Sequence, residues 1–264
     1  MTLEGATVEG ISVERTDGIV EVILDRPDRR NAVTLAMWLG LAELFSGFAE
    51  DNDIRGVILR GSGDCFSAGA DVAEFETTRA TVEQGLAYEV AVDAACDAIA
   101  AHGRPVIAAI RGYCYGGACN LAMACDFRFV EPGARFAIPA AKLSIVYSVR
   151  GMARLLALVG LAEAKRIFFT AAPFDADHGL RTGFADAIEP DPAVAARRWL
   201  SDVAQLAPLS IAGSKAILTM ASMPDIAFDG ETAHQLTLRA LASQDYVEGR
   251  AAFAEKRPPR FQGR

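Results

Sequence analysis

The groups in this sequence best placed to do chemistry belong to the backbone. Two glycine-marked turns, Phe66-Ser-Ala-Gly-Ala-Asp71 and Gly112-Tyr-Cys-Tyr-Gly-Gly-Ala-Cys-Asn120, each lead from a strand-like segment towards a helix. Such turns leave N–H groups unpaired and pointing outward, where they can bind an oxyanion. Taken singly, each is also an ordinary packing feature. Among side chains, only His102, His178 and His234 offer an imidazole base. Asp175-Ala-Asp177-His178 has the look of a metal cluster, but its acidic residues follow Pro173 and suit a helix N-terminus. There is no GxSxG elbow, no HExxH and no GxxxxGK[ST] loop; Gly213-Ser-Lys215 lacks the upstream glycine. Hydrolase, zincin and nucleotidase chemistries are thereby set aside.

The elements that must hold these turns can be read from periodicity. Residues 11–13 and 19–24 alternate around Asp17-Gly18, predicting a hairpin on a half-exposed sheet. Thr34 caps a helix carrying Leu35, Trp38, Leu41, Phe45 and Phe48, which ends near 50–53. A buried strand at 56–60 precedes the first glycine turn, and a long helix over about 81–101 follows it. A strand at 106–110 enters the second turn, Gly116-Gly117 opens a helix through 124, and 127–130 is again extended. From Gly151 onward the pattern is helical, over 152–159, 162–170, 194–206, 211–220, 231–243 and 246–254. The class is therefore α/β, divided into a core at 1–190 and a helical module at 191–264, with the break at Pro190 and Pro192.

With 264 residues, 52% of them hydrophobic, the chain can bury a large core. No apolar stretch approaches the ~18 residues of a membrane span, and residues 1–10 show no secretory pattern, which predicts a soluble cytoplasmic protein. Five cysteines without a CxxC pair read as reduced core thiols, with no metal site. A net charge of −8 opposes nucleic-acid binding, which needs a positive field.

Order, spacing and flanking text give the two turns more weight together. Phe-Ser-Ala-Gly-Ala-Asp-Val at 66–72, Arg-Pro-Val-Ile-Ala-Ala-Ile-Arg-Gly-Tyr-x-x-Gly-Gly at 104–117, and Cys125-Asp126 resemble the enoyl-CoA hydratase/isomerase, or crotonase, superfamily over about 11–261. The resemblance implies a spiral of ββα turns with a C-terminal helical trimerisation module, assembled as a homotrimer or hexamer. It also implies an acyl-CoA thioester substrate, with coenzyme A arriving as part of the substrate and no tightly bound cofactor. The oxyanion donors it implies are the N–H groups of Ala70 and Gly117. The CoA contacts it implies are the 26–31 segment with Arg26 and Arg30, the turn at Ala68 and Asp71, and Phe253 and Lys256 reaching from a neighbouring subunit. An amphipathic helix with a solvated basic tail explains the last two equally well.

The sequence departs from the family where hydratases carry two acid–base glutamates: Asn120 and Ala140 stand at those positions. An amide and a methyl group cannot replace them, so hydration is expected to be poor. Glu74 and Glu76 read as an exposed helical face. Tyr147, where hydratases usually have proline, is similar to methylmalonyl-CoA decarboxylase, as is the stretch Gln244-Asp-Tyr-x-Glu-Gly-x-x-Ala-Phe-x-Glu-Lys-Arg257; a buried tyrosine with a bonded hydroxyl is the alternative. Three outcomes follow: enolate chemistry in a lyase or isomerase, decarboxylation of a malonyl-type thioester, or a catalytically silent acyl-CoA binder.

Overall fold

A computed structural model describes residues 8–222, 238 and 241–260. The expected helix at 231–243, with His234, lies almost wholly outside the described residues. Strands β1 (Ile11–Thr16) and β2 (Ile19–Leu24) form the expected hairpin. Asp17 and Gly18 at its tip have φ of +51° and +78°, as a turn matching the strand twist requires. The half-exposed reading holds for β1 alone. β2 is buried throughout, because it lies inside the sheet between β1 and β3 (Gly56–Gly61).

Helix α1 (Leu35–Phe48) is capped by the Thr34 hydroxyl, which accepts from Met37 N–H, and it buries Trp38, Leu41, Phe45 and Phe48. The short helix α2 (Phe75–Thr78) leads to α3 (Val82–Ala101), which opens on a capping box between Thr81 and Gln84. Next come β4 (Val106–Ile110), β5 (Tyr113–Tyr115), α4 (Gly117–Ala124), β6 (Phe127–Val130) and β7 (Arg135–Ala137). After α5 (Val149–Thr170) follow β8 (Phe174–Asp175), α6 (Ala176–Thr182) and β9 (Ala187–Ile188). Helices α7 (Pro192–Val203), α8 (Pro208–Ser222) and α9 (Gln244–Ala254) complete the described chain.

One sheet runs β1-β2-β3-β4-β6-β9, parallel after the first hairpin; a second, β5-β7-β8, lies beside it. Repeated strand, strand and helix passages wind these two sheets into the expected spiral of ββα turns. α5 is two helices in sequence, interrupted where Gly160 takes a φ of +73°, as the two separate periodic runs predict. The Asp175 carboxylate caps α6 by accepting from His178 N–H at 2.9 Å, the helix-terminus role read from the sequence. Beyond the Pro190 and Pro192 break, α7 packs Ala196 and Leu200 against Ile19, Ile58 and Ile107 of the main sheet. That break is thus a bend in the chain, across which contacts with the sheet continue. Among the described residues no helix is long and apolar enough to cross a membrane.

Candidate active site

The two glycine turns are held side by side by main-chain bonds. Ser67 N–H donates to Tyr113 O at 2.9 Å and Tyr115 N–H to Ser67 O at 3.2 Å, so the first turn runs as a short parallel bridge along β5. Gly69 makes this approach possible: its φ is +94°, and a Cβ there would meet Tyr115 O at 2.3 Å. On the other side, Val33 N–H donates to Gly69 O and Asp71 N–H to Val33 O. In a parallel bridge of this type the central residue, Ala70, directs its own N–H away from the partner strand. Gly117 opens α4 behind Gly116, whose φ is +55°. Neither the Ala70 nor the Gly117 N–H donates to an acceptor among the described residues. They lie close together, since a Cβ built on Gly117 would sit 3.4 Å from Ala70 N. Two unspent donors converging on one point can hold a developing oxyanion.

Both donors open on a cavity of about 110 Å³. Asn120, Ala140 and Tyr147 line it, together with Ala68 and Phe253, so one space gathers residues spread from 68 to 253. Phe253 lines the cavity of its own chain, whereas the resemblance implied a reach from a neighbour; with 52% of its surface accessible, it sits at the rim. Ala140 is buried, and Asn120 Oδ1 is buried without a partner among the described residues. Tyr147 packs edge-on against Phe168 at 5.3 Å. Desolvation pushes its phenol well above the ordinary value of 10.0, so it stays protonated as a donor.

Of the residues expected at the CoA nucleotide, Ala68 and Phe253 line this cavity and the others stand outside its lining. Arg26 is spent mainly on the protein, donating to Asp71 at 2.8 Å and to Ala32 O at 2.7 Å, so two expected CoA contacts staple each other. Asn31 is fully buried and uses its amide on Ser62 O and Cys65 O. Arg30 is exposed, its guanidinium 5.8 Å from the Tyr113 ring centre, and Ala68 N–H is taken by Arg30 O at 2.9 Å. Lys256 stands just past α9 with a φ of +53°. Glu74 is not simply an exposed helical residue: its carboxylate accepts from Leu35 N–H at 2.9 Å at the start of α1. Glu76 is exposed.

Two wall residues escape a reading based on sequence. Arg79 donates to Glu89 at 2.5 Å, and both line the cavity. Arg79 is 4% exposed and packs against the Phe75 and Tyr88 rings, its guanidinium 4.9 and 4.8 Å from their centres. The Tyr88 hydroxyl accepts from Trp38 Nε1 at 2.9 Å, and the Trp38 ring packs beside Gly117. Desolvation raises the Glu89 carboxyl above its ordinary 4.5, with Arg79 opposing the shift and Asp93 adding to it. The available signal was positional. Glu89 falls between Gly85 and Val92 at the edge of the buried stripe of α3, where it, Asp93 and Asp97 recur at four-residue spacing beside an apolar face.

A separate cavity of about 220 Å³ is lined by Arg60, Arg111 and Arg197, but those guanidiniums are paired with Glu21 and Asp191.

The family model for enoyl-CoA hydratase/isomerase matches residues 14–264. A probable enoyl-CoA hydratase, echA6, of Mycobacterium tuberculosis is 32% identical over 253 residues, 96% of this chain and 99% of that one. Among solved structures, an enoyl-CoA hydratase/carnithine racemase from Magnetospirillum magneticum is 36% identical with a TM-score of 0.79, covering 98% of this chain and 97% of that one. Methylmalonyl-CoA decarboxylase bound to 2-nitronate-propionyl-CoA shares the fold at a TM-score of 0.87 and 23% identity, over 98% of this chain and 100% of that one. The chain belongs to the enoyl-CoA hydratase/isomerase family, whose members process acyl-CoA thioesters.

Proposed function

We propose that this chain carries out enolate chemistry on an acyl-CoA thioester, the enolate oxygen being held by the Ala70 and Gly117 N–H groups. The observation that carries the reading is the pair of unspent donors lining one largely apolar cavity. Donors fixed in a dry site favour an enolate oxygen over the ground-state carbonyl, which is the differential binding that catalysis needs. CoA enters as part of the substrate, with no tightly bound cofactor; the exposed Arg30, near the first turn, suits its phosphates. Hydration is disfavoured, because Asn120 and Ala140 line the cavity where paired glutamates would act. In the single chain, Leu161 and Phe169 of α5 and Leu209, Ile217 and Leu218 of α8 are exposed, which supports a homotrimer or hexamer.

The test is deuterium incorporation at Cα of butyryl-CoA in D2O. Wash-in that disappears in Gly117→Pro supports enolate formation; tight binding without wash-in would mark a silent binder. A second reading rests on Tyr147, whose hydroxyl lies 3.9 Å from a Cβ built on Gly116, close to the donors. There it could turn a malonyl-type carboxylate out of the thioester plane and promote loss of CO2, a route to the enolate that requires no base. CO2 release from methylmalonyl-CoA measures this directly, and none above background removes it.

A further inference from the structure

The buried Arg79–Glu89 pair has more to do than hold α2 to α3. Both residues line the cavity that receives the Ala70 and Gly117 N–H groups, and Glu89 keeps 17% of its side chain accessible. Its carboxylate is the acidic side chain among those lining this cavity. The geometry points to Glu89 as the residue that removes and returns the substrate proton, with Arg79 as its positioning residue. This rests on the enolate reading above, for which it supplies the missing base.

The fixed surroundings suit such a role. Arg79 cannot swing freely: its guanidinium packs against both the Phe75 and Tyr88 rings, while Tyr246 and Arg250 of α9 donate to its carbonyl. Glu89 is thus fixed by one strong partner. Trp38 links this assembly to the oxyanion donors, since its ring packs on Gly117 and its Nε1–H reaches Tyr88, the neighbour of Glu89 in sequence. Desolvation raises this carboxyl above its ordinary value, which makes its carboxylate form a better base.

One carboxylate limits the chemistry to one proton. Glu89 takes a proton from Cα of a 3-enoyl-CoA; the C–H electron pair forms the enolate carbon–carbon bond and the carbonyl pair moves onto the oxygen held by Ala70 and Gly117. The resulting Glu89 carboxylic acid returns the proton to Cγ, the oxygen pair reforms the carbonyl, and the double bond has moved from the 3 to the 2 position. No water, oxidant or second acid–base residue is consumed. Hydration would need a second group, and Asn120 and Ala140 do not supply one.

The charged and titratable groups around Glu89 are Arg79 from the end of α2, Asp93 and Cys96 on α3, Tyr88 beside it, Tyr147 from the segment before α5, and Tyr246 and Arg250 of α9 behind Arg79. Desolvation raises Cys96, Tyr88 and Tyr147 above their ordinary values, so none of the three carries charge near pH 7, and Asp93 accepts from Ser148 at 2.7 Å. The rate should therefore rise with pH through the Glu89 ionisation. Replacing Arg79 by Met removes the cation that favours the carboxylate and shifts that midpoint to higher pH.

The experiment follows Cα deuteration of butyryl-CoA and conversion of 3-hexenoyl-CoA to its 2-enoyl isomer, with butyryl-CoA binding measured in parallel. Glu89→Gln should lower both rates at least ~100-fold and keep affinity within about threefold, and Glu89→Asp should recover part of the loss. Because Glu89→Gln leaves a buried guanidinium unpaired, the double variant Arg79→Met with Glu89→Leu, which removes both charges, guards against misfolding. It should fold, bind and remain inactive. Wild-type rates in folded Glu89→Gln or in the double variant, with Gly117→Pro silent, would overturn the role of Glu89 and leave the enolate reading standing. Wild-type rates in Gly117→Pro, or no exchange by the wild type, would overturn both.

Discussion

Replacing Gly117 by alanine should stop enolate chemistry while leaving the fold intact. A Cβ built there falls 3.4 Å from Ala70 N, beside the space where an oxyanion would sit about 2.7–3.1 Å from its donors. The added methyl therefore crowds the approach to the Ala70 N–H. Losing a single donor of this kind costs ~3 kcal/mol, or on the order of 100-fold in rate at about 1.4 kcal/mol per factor of ten, so at least ~100-fold is expected. Against the fold the change is mild. The new methyl meets Trp38 Cζ2 at 3.0 Å, a tight contact that the ring must ease, while alanine is better than glycine in a helix by roughly 0.5–1 kcal/mol. The assay is Cα deuteration of butyryl-CoA beside a thermal melt, with Gly213→Ala as control because no atom lies within 4 Å of its added Cβ. A Gly117→Ala protein that exchanges within about threefold of wild type would refute the assignment of the donors.

Three further outcomes follow. Crotonyl-CoA hydration should lie at least ~100-fold below that of a two-glutamate relative, and Asn120→Glu with Ala140→Glu should raise it; no gain would show that more than two carboxylates is missing. Tyr147→Phe should lower any CO2 release from methylmalonyl-CoA with little change in melting temperature, and equal rates would remove its hydroxyl from the chemistry. His102 gives a stability prediction. It is 3% exposed, neither ring nitrogen has a partner among the described residues, and desolvation, then Lys215 and Arg104, hold its pKa at about 4 against an ordinary 6.5. A depressed histidine pKa means that the unfolded chain binds the proton better, so its contribution is complete above pH 6.5 and lost as pH falls towards 4. At 1.36 kcal/mol per pH unit that gap is worth about 3 kcal/mol. Denaturant melts should show His102→Leu losing less stability than wild type over that window, and parallel losses would contradict the burial argument.

Much of this architecture could be read from the chain because the relevant signals are local. Thr34 and Thr81 announce helix starts through their hydroxyls, and Gly160 separates two periodic runs by adopting a φ that other residues avoid. The glycine turns were visible for the same reason, and both open on the one cavity. The second sheet was not legible. Three-residue strands such as β5 and β7 are too short to display an alternating pattern, and they exist because Tyr113–Tyr115 and Arg135–Ala137 pair at a separation of 22 residues. β2 misled because Glu21 breaks its apolar run yet is buried, paired with Arg60 and Arg197, which are distant in sequence. Glu89 was hidden for a similar reason: its meaning depends on Arg79 beyond a helix cap and on Tyr147 more than fifty residues away. Polar residues whose partners arrive through tertiary structure carry no periodic mark.

The most direct measurement of the central claim is the infrared carbonyl stretch of a 13C-labelled thioester carbonyl in butyryl-CoA bound to the protein. If the Ala70 and Gly117 N–H groups both donate to that oxygen, the band moves to lower frequency on binding to the wild type and returns most of the way in Gly117→Pro, which lacks one N–H. A bound thioester whose carbonyl band matches that of free butyryl-CoA, or shifts equally in wild type and Gly117→Pro, would contradict the account.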